Sequence, residues 1–230
     1  FYHQIRHTMG FIAPDKVSQM PMDTRASDVG YALKATIAVS RQDLIRTGNE
    51  FYHNRLDDWW DPVAGSAMMG PNTFWNIRDG QRDRAAAYAE WEAAWNPRWL
   101  TQIGLRFEQV DMDTGDVQSY SPMFSQSDAN AFNAADNERR DDNLDATALA
   151  RFTPSATQTF EFGLAQKTRS PNLYERYAWS THGMAMRMVN LAGDGNGYVG
   201  NLDLKPETAR TASISANWHD AGDKIWNVRL

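Results

Sequence analysis

The chain has 230 residues, no cysteine and a net charge of −6, with a mean hydropathy of −0.62. The negative charge argues against a nucleic-acid-binding protein, which needs clustered basic residues, and the missing cysteines exclude disulfides and zinc–thiolate sites. No run of apolar residues reaches the roughly 18 to 20 that a membrane helix requires, which excludes an α-helical membrane protein.

Five segments alternate between apolar and polar residues with a period of two, which predicts β-strands, and about nine strands are predicted in all. In the second of these strands, Val29, Leu33 and Ile37 share one face. Asp28 and Lys34 share the other face. Several segments run to about a dozen residues, whereas strands in soluble sandwiches usually have about five or six. The predicted strands are 1–8, 25–39, 44–57, 83–95, 99–112, 141–153, 157–168, 205–219 and 223–230.

The connections between these strands alternate in length. Short turns near 41–43, 96–98, 154–156 and 221–223 alternate with long polar stretches near 10–24, 58–82, 111–140 and 168–205. Aromatic residues flank the short turns, namely Trp95, Trp99, Phe152, Phe160, Trp218 and Trp226. Alternating faces, alternating connection lengths and aromatic girdles together predict an all-β fold, an antiparallel transmembrane β-barrel of the outer-membrane type. A large soluble β-sandwich, whose strands also alternate, is the alternative.

The predicted number of strands is odd, whereas single-chain bacterial barrels have even numbers. An open arc of nine strands in lipid would leave unpaired backbone groups at its edges. We therefore expect residues 1–230 to be part of a barrel domain in a longer protein. The remaining strands and an N-terminal domain are expected to lie outside this sequence.

Two motifs in the second half resemble the barrels of TonB-dependent outer-membrane receptors. In that family an Arg-x-Pro-Asn-Leu-x-Glu segment precedes a long loop, and Gly-Asn-x-x-Leu-Lys-Pro-Glu opens the next strand. Here "RSPNLYERY" spans 169–177 and "GNLDLKPET" spans 200–208. The matching residues are Arg169, Pro171, Asn172, Glu175, Gly200, Asn201, Lys205, Pro206 and Glu207.

The motif residues are expected at particular places in the barrel. Pro171 and Pro206 are expected at strand boundaries, where a missing amide donor is tolerated. Arg169 and Glu207 are expected to face the lumen. Their role is either a salt-bridge network in the wall or direct contact with a ligand.

This resemblance implies a receptor rather than an enzyme, monomeric and located in the outer membrane of a Gram-negative bacterium. It also implies that the TonB–ExbB–ExbD complex supplies energy through a plug domain that these residues do not contain. Outer-membrane lipid and lipopolysaccharide are the other expected partners, with no nucleic acid and no organic cofactor. The charge run at 137–145 is interpreted as a solvated loop face that also packs against lipopolysaccharide.

The beginning of the chain is similar to a subset of that family, the TonB-dependent copper receptors. There a His-x-Met pair follows a barrel strand and a Met-Pro-Met run precedes the next. The matching residues here are His7, Met9, Met20, Pro21 and Met22. The resemblance implies that His7 and Met9 hold copper together with soft ligands from the plug.

A second group of soft ligands lies in "STHGMAMRMVN", at 180–190, with His182, Met184, Met186 and Met188. Thioether sulfur and imidazole nitrogen suit copper, particularly Cu(I). In an extended chain the three methionines would point the same way. Nine of the ten methionines fall in the predicted long loops or at strand ends. Copper capture and packing beneath the loop both remain open for this group.

The sequence therefore predicts import of copper ions as the transported ligand. A siderophore receptor is the alternative within transport, using Arg106, Arg151 and exposed loop aromatics at 59–62 and 72–76 to hold an anionic iron chelate. The alternative from another class is a non-transporting surface barrel, an adhesin or phage receptor, in which the methionines only pack the loops.

Overall fold

A computed structural model describes residues 1–9, 22–189, 193–194, 196–220 and 226–230. It contains one antiparallel sheet of nine strands in which each strand pairs with its neighbours in sequence. The sheet is open, because β1 and β9 have no pairing to each other within the described residues. The strands are β1 Tyr2–Met9, β2 Met22–Ala38, β3 Asp43–Trp60, β4 Phe74–Asn96, β5 Trp99–Asp113, β6 Arg139–Ser155, β7 Gln158–Arg169, β8 Glu207–His219 and β9 Asn227–Arg229.

The all-β barrel-type architecture predicted from the alternating segments is confirmed. The strands reach 23 residues in β4, far beyond the roughly five or six residues of an average strand. One difference is that β4 begins at Phe74 rather than at 83. Its first residue pairs with Trp60, and the two rings stack with centroids 4.3 Å apart. That contact extends the ladder into a segment predicted to be a loop.

Three short helices lie in the long connections and were not predicted. They are α1 Gln126–Asn133, α2 Leu173–Tyr177 and α3 Gly183–Met188. In the part of the chain that the structure describes, no helix has the length and apolar character needed to cross a membrane.

One face of the sheet carries an exposed apolar band. Large hydrophobic side chains along five strands are between 46% and 74% exposed, including Val29, Tyr31, Leu33, Ile103, Leu105, Phe107, Leu144, Phe162, Leu164 and Ile214. A continuous apolar surface of this extent is unusual on a soluble monomer. It matches the lipid-facing band of an outer-membrane barrel.

The aromatic residues near the short turns form contacts between neighbouring strands. Trp99 stacks on Phe152 with ring centroids 4.5 Å apart, and Phe160 meets Trp218 edge to face at 5.8 Å. Trp95 is 56% exposed. This placement at one end of the band fits an interfacial girdle, where amphipathic rings are favoured.

The main hydrophobic core lies at the loop end of the sheet, between the ends of the strands and the long connections. We call it the loop core; it is centred on the buried side chains of Trp60, Phe74, Tyr120, Phe124 and Tyr177. Each long described connection contributes to it, and α1, α2 and α3 add buried apolar residues. The expectation that the aromatics at 59–62 and 72–76 are exposed is therefore wrong for Trp60 and Phe74, both 0% exposed.

Substituting an arginine into the exposed apolar band tests whether this face of the sheet contacts lipid. Ile103 points outward and Gln102 points inward, where its register partner is Glu92. In the full-length protein, Ile103→Arg should impair folding into lipid vesicles, because arginine near the bilayer centre costs about 2–4 kcal/mol. Gln102→Arg is the control and should fold normally. Gel mobility before and after heating measures the folded fraction, and equal folding of both variants would contradict a lipid-facing band.

Candidate functional site

The inner face of the sheet is lined by charged residues that are largely paired with one another. The Arg46 guanidinium bonds to Glu90 at 2.7 Å and to Glu92 at 2.9 Å. Arg106 bonds to Glu50 and Glu108. Such charges share this face because strand alternation places them opposite the apolar band. At these positions the wall is therefore polar, and its arginines are neutralised by neighbouring glutamates.

The two motif segments converge at the loop end of β7 and β8. Arg169 donates to both carboxylate oxygens of Glu175, at 2.9 and 3.0 Å, and pairs with Glu207 at 3.1 Å. The hydrogen bonds from Arg169 lower the pKa of Glu175. Pro171 lies two residues after the end of β7 and Pro206 directly precedes β8, which agrees with the expected strand boundaries. The arrangement is the salt-bridge network that was one of the two expected roles.

The same motifs also fix the backbone of α2. Asn172 and Glu175 form a capping box in which each side chain accepts a hydrogen bond from the other's backbone N–H. The Asn201 N–H donates to the Glu175 carbonyl at 3.0 Å. A Cβ on Gly200 would lie 2.7 Å from the Arg176 carbonyl, so this close approach requires glycine. Lys205 lies in the segment that leads into β8.

A buried ion pair beneath α2 was not anticipated. Arg176 is 2% exposed and donates to the two Asp141 oxygens at 2.8 and 2.9 Å. Met112 also accepts from Arg176 at 3.5 Å. The interpretation of 137–145 as a solvated loop face is therefore wrong for Asp141 and Asn143, which are 8% and 3% exposed. These residues belong to β6, and the alternation of "DDNLD" was the signal for it.

The predicted copper residues near the start of the chain lie at the loop end of β1 and β2. His7 is exposed and pairs in register with Thr24, while Met9 pairs with Met22. His7 and Met22 are thus diagonal neighbours, about 7–8 Å apart and within reach of long side chains. Met22 is 9% exposed at the edge of the loop core. Met20 lies outside the described residues.

A buried carboxylate stands beside this position. The Thr24 hydroxyl donates to Asp58 at 3.3 Å, and Asn76 donates to the other Asp58 oxygen at 2.7 Å. Asp58 is 0% exposed. Asp58 lies on β3, separated by β2 from the strand that carries His7, and a carboxylate in this position favours a cation over an anion.

The second predicted group has a different geometry from the extended one. Residues 183–188 form α3, so three parallel sulfurs at period two do not occur. Met184 and Met188, four residues apart and on one side of the helix, pack against the loop core. His182 caps the helix by accepting from the Met184 N–H at 3.3 Å and stacks on Phe124 at 4.0 Å. Met186 is partly buried.

The described methionines divide into packed and exposed sets. Met112 is 3% exposed within the loop core, whereas Met68 and Met123 are 47% and 80% exposed. In the described ranges, no three His, Asp or Glu side chains are grouped as a metal site would require.

The chain matches a known protein family and is similar to several solved structures. The family described as "TonB dependent receptor-like, beta-barrel" matches residues 4–230. A structure of the copper transporter OprC is 16% identical with a TM-score of 0.60, over 90% of this chain and 30% of that chain. The Serratia marcescens hemophore receptor HasR is 14% identical with a TM-score of 0.59, over 87% of this chain and 31% of that chain. No curated protein sequence matches the chain.

A further similar structure is the FrpB iron transporter from Neisseria meningitidis, 17% identical with a TM-score of 0.57, over 87% of this chain and 27% of that chain. The chain spans less than a third of the length of each of these three structures. At such identities the likeness establishes the fold and leaves the cargo to be argued from residues.

The Arg169–Glu175 pair gives a pH-dependent prediction. Because the pKa of Glu175 is lowered in the folded protein, the stabilisation is complete above its unfolded pKa of about 4.3. It is lost as the pH falls through the lowered value. Arg169→Gln in the full-length protein should lower amide protection of residues 173–177 at pH about 7. The ion pair of a half-exposed arginine contributes about 0.5–1 kcal/mol, so the protection factors should fall roughly two- to fivefold.

Hydrogen exchange, corrected for intrinsic rates, measures this effect. The difference in protection between the wild type and Arg169→Gln should vanish near pH about 2–3, where almost all carboxylates are protonated. Arg151→Gln is the control, because it breaks the separate pair with Glu161 and should leave 173–177 unchanged. A difference that persists unchanged at low pH would show that charge is not its source.

Proposed function

The chain belongs to the TonB-dependent receptor-like β-barrel family, and on that premise we propose that it is part of an outer-membrane receptor that imports copper ions. One observation carries the choice of cargo. The β1–β2 register places His7 diagonal to Met22 and pairs Met9 with Met22 at the loop end of the sheet. Imidazole nitrogen and thioether sulfur together form a donor set suited to copper.

Electrostatics at this place also favour a cation. Asp58 lies behind Thr24, the register partner of His7, and the whole chain carries a net charge of −6. Acidic surfaces raise the local concentration of cations and speed their capture. The plug expected in the longer protein would supply the remaining ligands, and the TonB–ExbB–ExbD complex would supply the energy for release.

Thioethers that collect the ion in the external loops must be exposed to solvent. Met68 and Met123 meet this condition. Met184 and Met188 contact the loop core, and His182 caps α3, so packing accounts for these side chains without a metal. The copper site is accordingly assigned first to His7 and Met9, with Met20 and Met22 adjacent in sequence or register.

A ferric-chelate receptor has weaker support from the same residues. Arg106 and Arg151, the arginines expected to hold an anionic chelate, are already paired with glutamates. Trp60 and Phe74 are buried and cannot stack on a ligand at the surface. A non-transporting surface barrel would explain the packed methionines but gives no reason for His7 and Met9 on adjacent alternate positions of β1.

Paired substitution of the proposed ligands tests the copper assignment. In cells that carry the full-length receptor, His7→Ala with Met9→Ala should reduce copper uptake at least tenfold, since two ligands are removed. Uptake of a ferric chelate should not change. His3→Ala is the matched control, because His3 lies on the same strand and faces Asp28 at 3.8 Å without a methionine two residues later. Unchanged copper uptake in the double variant would refute the assignment.

Leucine substitution separates packing from metal capture in α3. Met184→Leu with Met188→Leu keeps the apolar volume and removes both sulfurs, and such swaps usually cost less than about 1.5 kcal/mol. Copper uptake and thermal stability of the full-length receptor should both stay near wild type. A large loss of copper uptake with normal stability would instead assign these sulfurs to metal collection.

A further inference from the structure

A cavity of about 460 Å³ opens on the inner face of the sheet, where β3 and β4 meet α2. Its size falls within the roughly 300–1,000 Å³ of ligand pockets. Its polar lining consists of Asp28, Tyr52, Asn54, Arg82, Arg84, Asn172 and Tyr174. The cavity is separate from the position of His7 and Met9, and the proposed copper site makes no use of it.

Arg82 is the unusual member of this lining. Its Nε is buried and has no hydrogen-bond partner, which is also the case for the Nε of Arg84 and of Arg176. Among the residues that the structure describes, no carboxylate lies within ion-pair distance of its guanidinium, whereas the neighbouring arginines on the wall are paired. A buried donor without an acceptor is unfavourable, and more so when it is charged. A ligand with an acceptor would remove that cost.

The surrounding charges leave a positive excess. Arg106 is bonded to Glu50 and Glu108, and Arg176 is bonded to Asp141. Arg84 reaches the same two glutamates only at 3.5 and 3.6 Å. Within the lining of the cavity itself there are two guanidiniums, Arg82 and Arg84, and one carboxylate, Asp28.

The remaining groups of the lining do not neutralise Arg82. Asp28 accepts a hydrogen bond from Asn54 at 2.8 Å and lies 3.8 Å from His3. The Arg84 guanidinium lies over the Tyr52 ring, 4.3 Å from its centroid, which holds that cation in place. The cavity therefore presents one unpaired and one loosely paired guanidinium on a rigid wall.

We propose that this cavity binds a carboxylate group, held in a bidentate manner by Arg82 and supported by Arg84. A guanidinium matches the two oxygens of a carboxylate with parallel N–H donors. The carboxylate comes either from a small carboxylic acid in the lumen or from an Asp or Glu side chain of a polypeptide segment inside the barrel. Both sources satisfy the same donors, and the experiment distinguishes them.

Citrate is the small-molecule probe, titrated calorimetrically into the full-length receptor in detergent. Arg82→Gln should weaken citrate binding at least tenfold. Arg46→Gln is the matched control, because Arg46 lies on the same wall and is bonded to Glu90 and Glu92; it should bind citrate like the wild type. In parallel, Arg82→Lys is treated with a carbodiimide, which joins the introduced amine to a carboxylate in contact with it, and mass spectrometry identifies the partner.

Each outcome decides the proposal. Citrate binding that depends on Arg82 supports a small carboxylic acid as the occupant. Absence of citrate binding with a cross-link to an acidic residue outside residues 1–230 supports a polypeptide carboxylate. Citrate binding unaffected by Arg82→Gln overturns the proposal. Absence of citrate binding with no cross-link, or with cross-links only to Glu108 or Asp141, overturns it as well.

Discussion

Every described part of this molecule depends on one constraint, that backbone N–H and C=O groups facing hydrocarbon must bond to a neighbouring strand. The continuous antiparallel ladder from β1 to β9 meets this requirement along each strand pair. Once the ladder is formed, side chains alternate strictly between two environments. Apolar residues such as Leu33 and Leu105 face outward, and charged residues such as Arg46 and Arg106 face inward. The polar wall and the placement of the candidate ligands both follow from that alternation.

Alternation and turn chemistry were readable from the sequence because both are local. The period-two segments and the short turns near 41–43, 96–98 and 154–156 were predicted, and the structure agrees with them. The predicted turn at 221–223 lies outside the described residues, and the salt bridge of Arg169 with Glu207 was one of two roles left open. The register of β1 with β2, and hence the meeting of His7 with the strand that carries Met22, requires the ladder itself. A one-residue shift would move all of these side chains to the opposite face.

The loop end was predicted least well, because its structure depends on contacts between distant segments. Trp60 and Phe74 were predicted to be exposed loop aromatics, yet they stack with each other, and Phe74 also stacks with Trp179, far away in sequence. Asp141 was interpreted as part of a solvated charge run, yet it neutralises Arg176 beneath α2. The 183–188 segment has period-two methionines but forms a helix, where its apolar side meets the loop core. No local pattern encodes these partners.

The central claim is that His7 and Met9 bind copper in the full-length receptor, and X-ray absorption at the copper edge tests it most directly. The account predicts sulfur and nitrogen neighbours around the bound ion, with the nitrogen shell lost in His7→Ala and the sulfur shell reduced in Met9→Ala. A first shell made of oxygen and nitrogen alone, identical in wild type and both variants, would contradict the account.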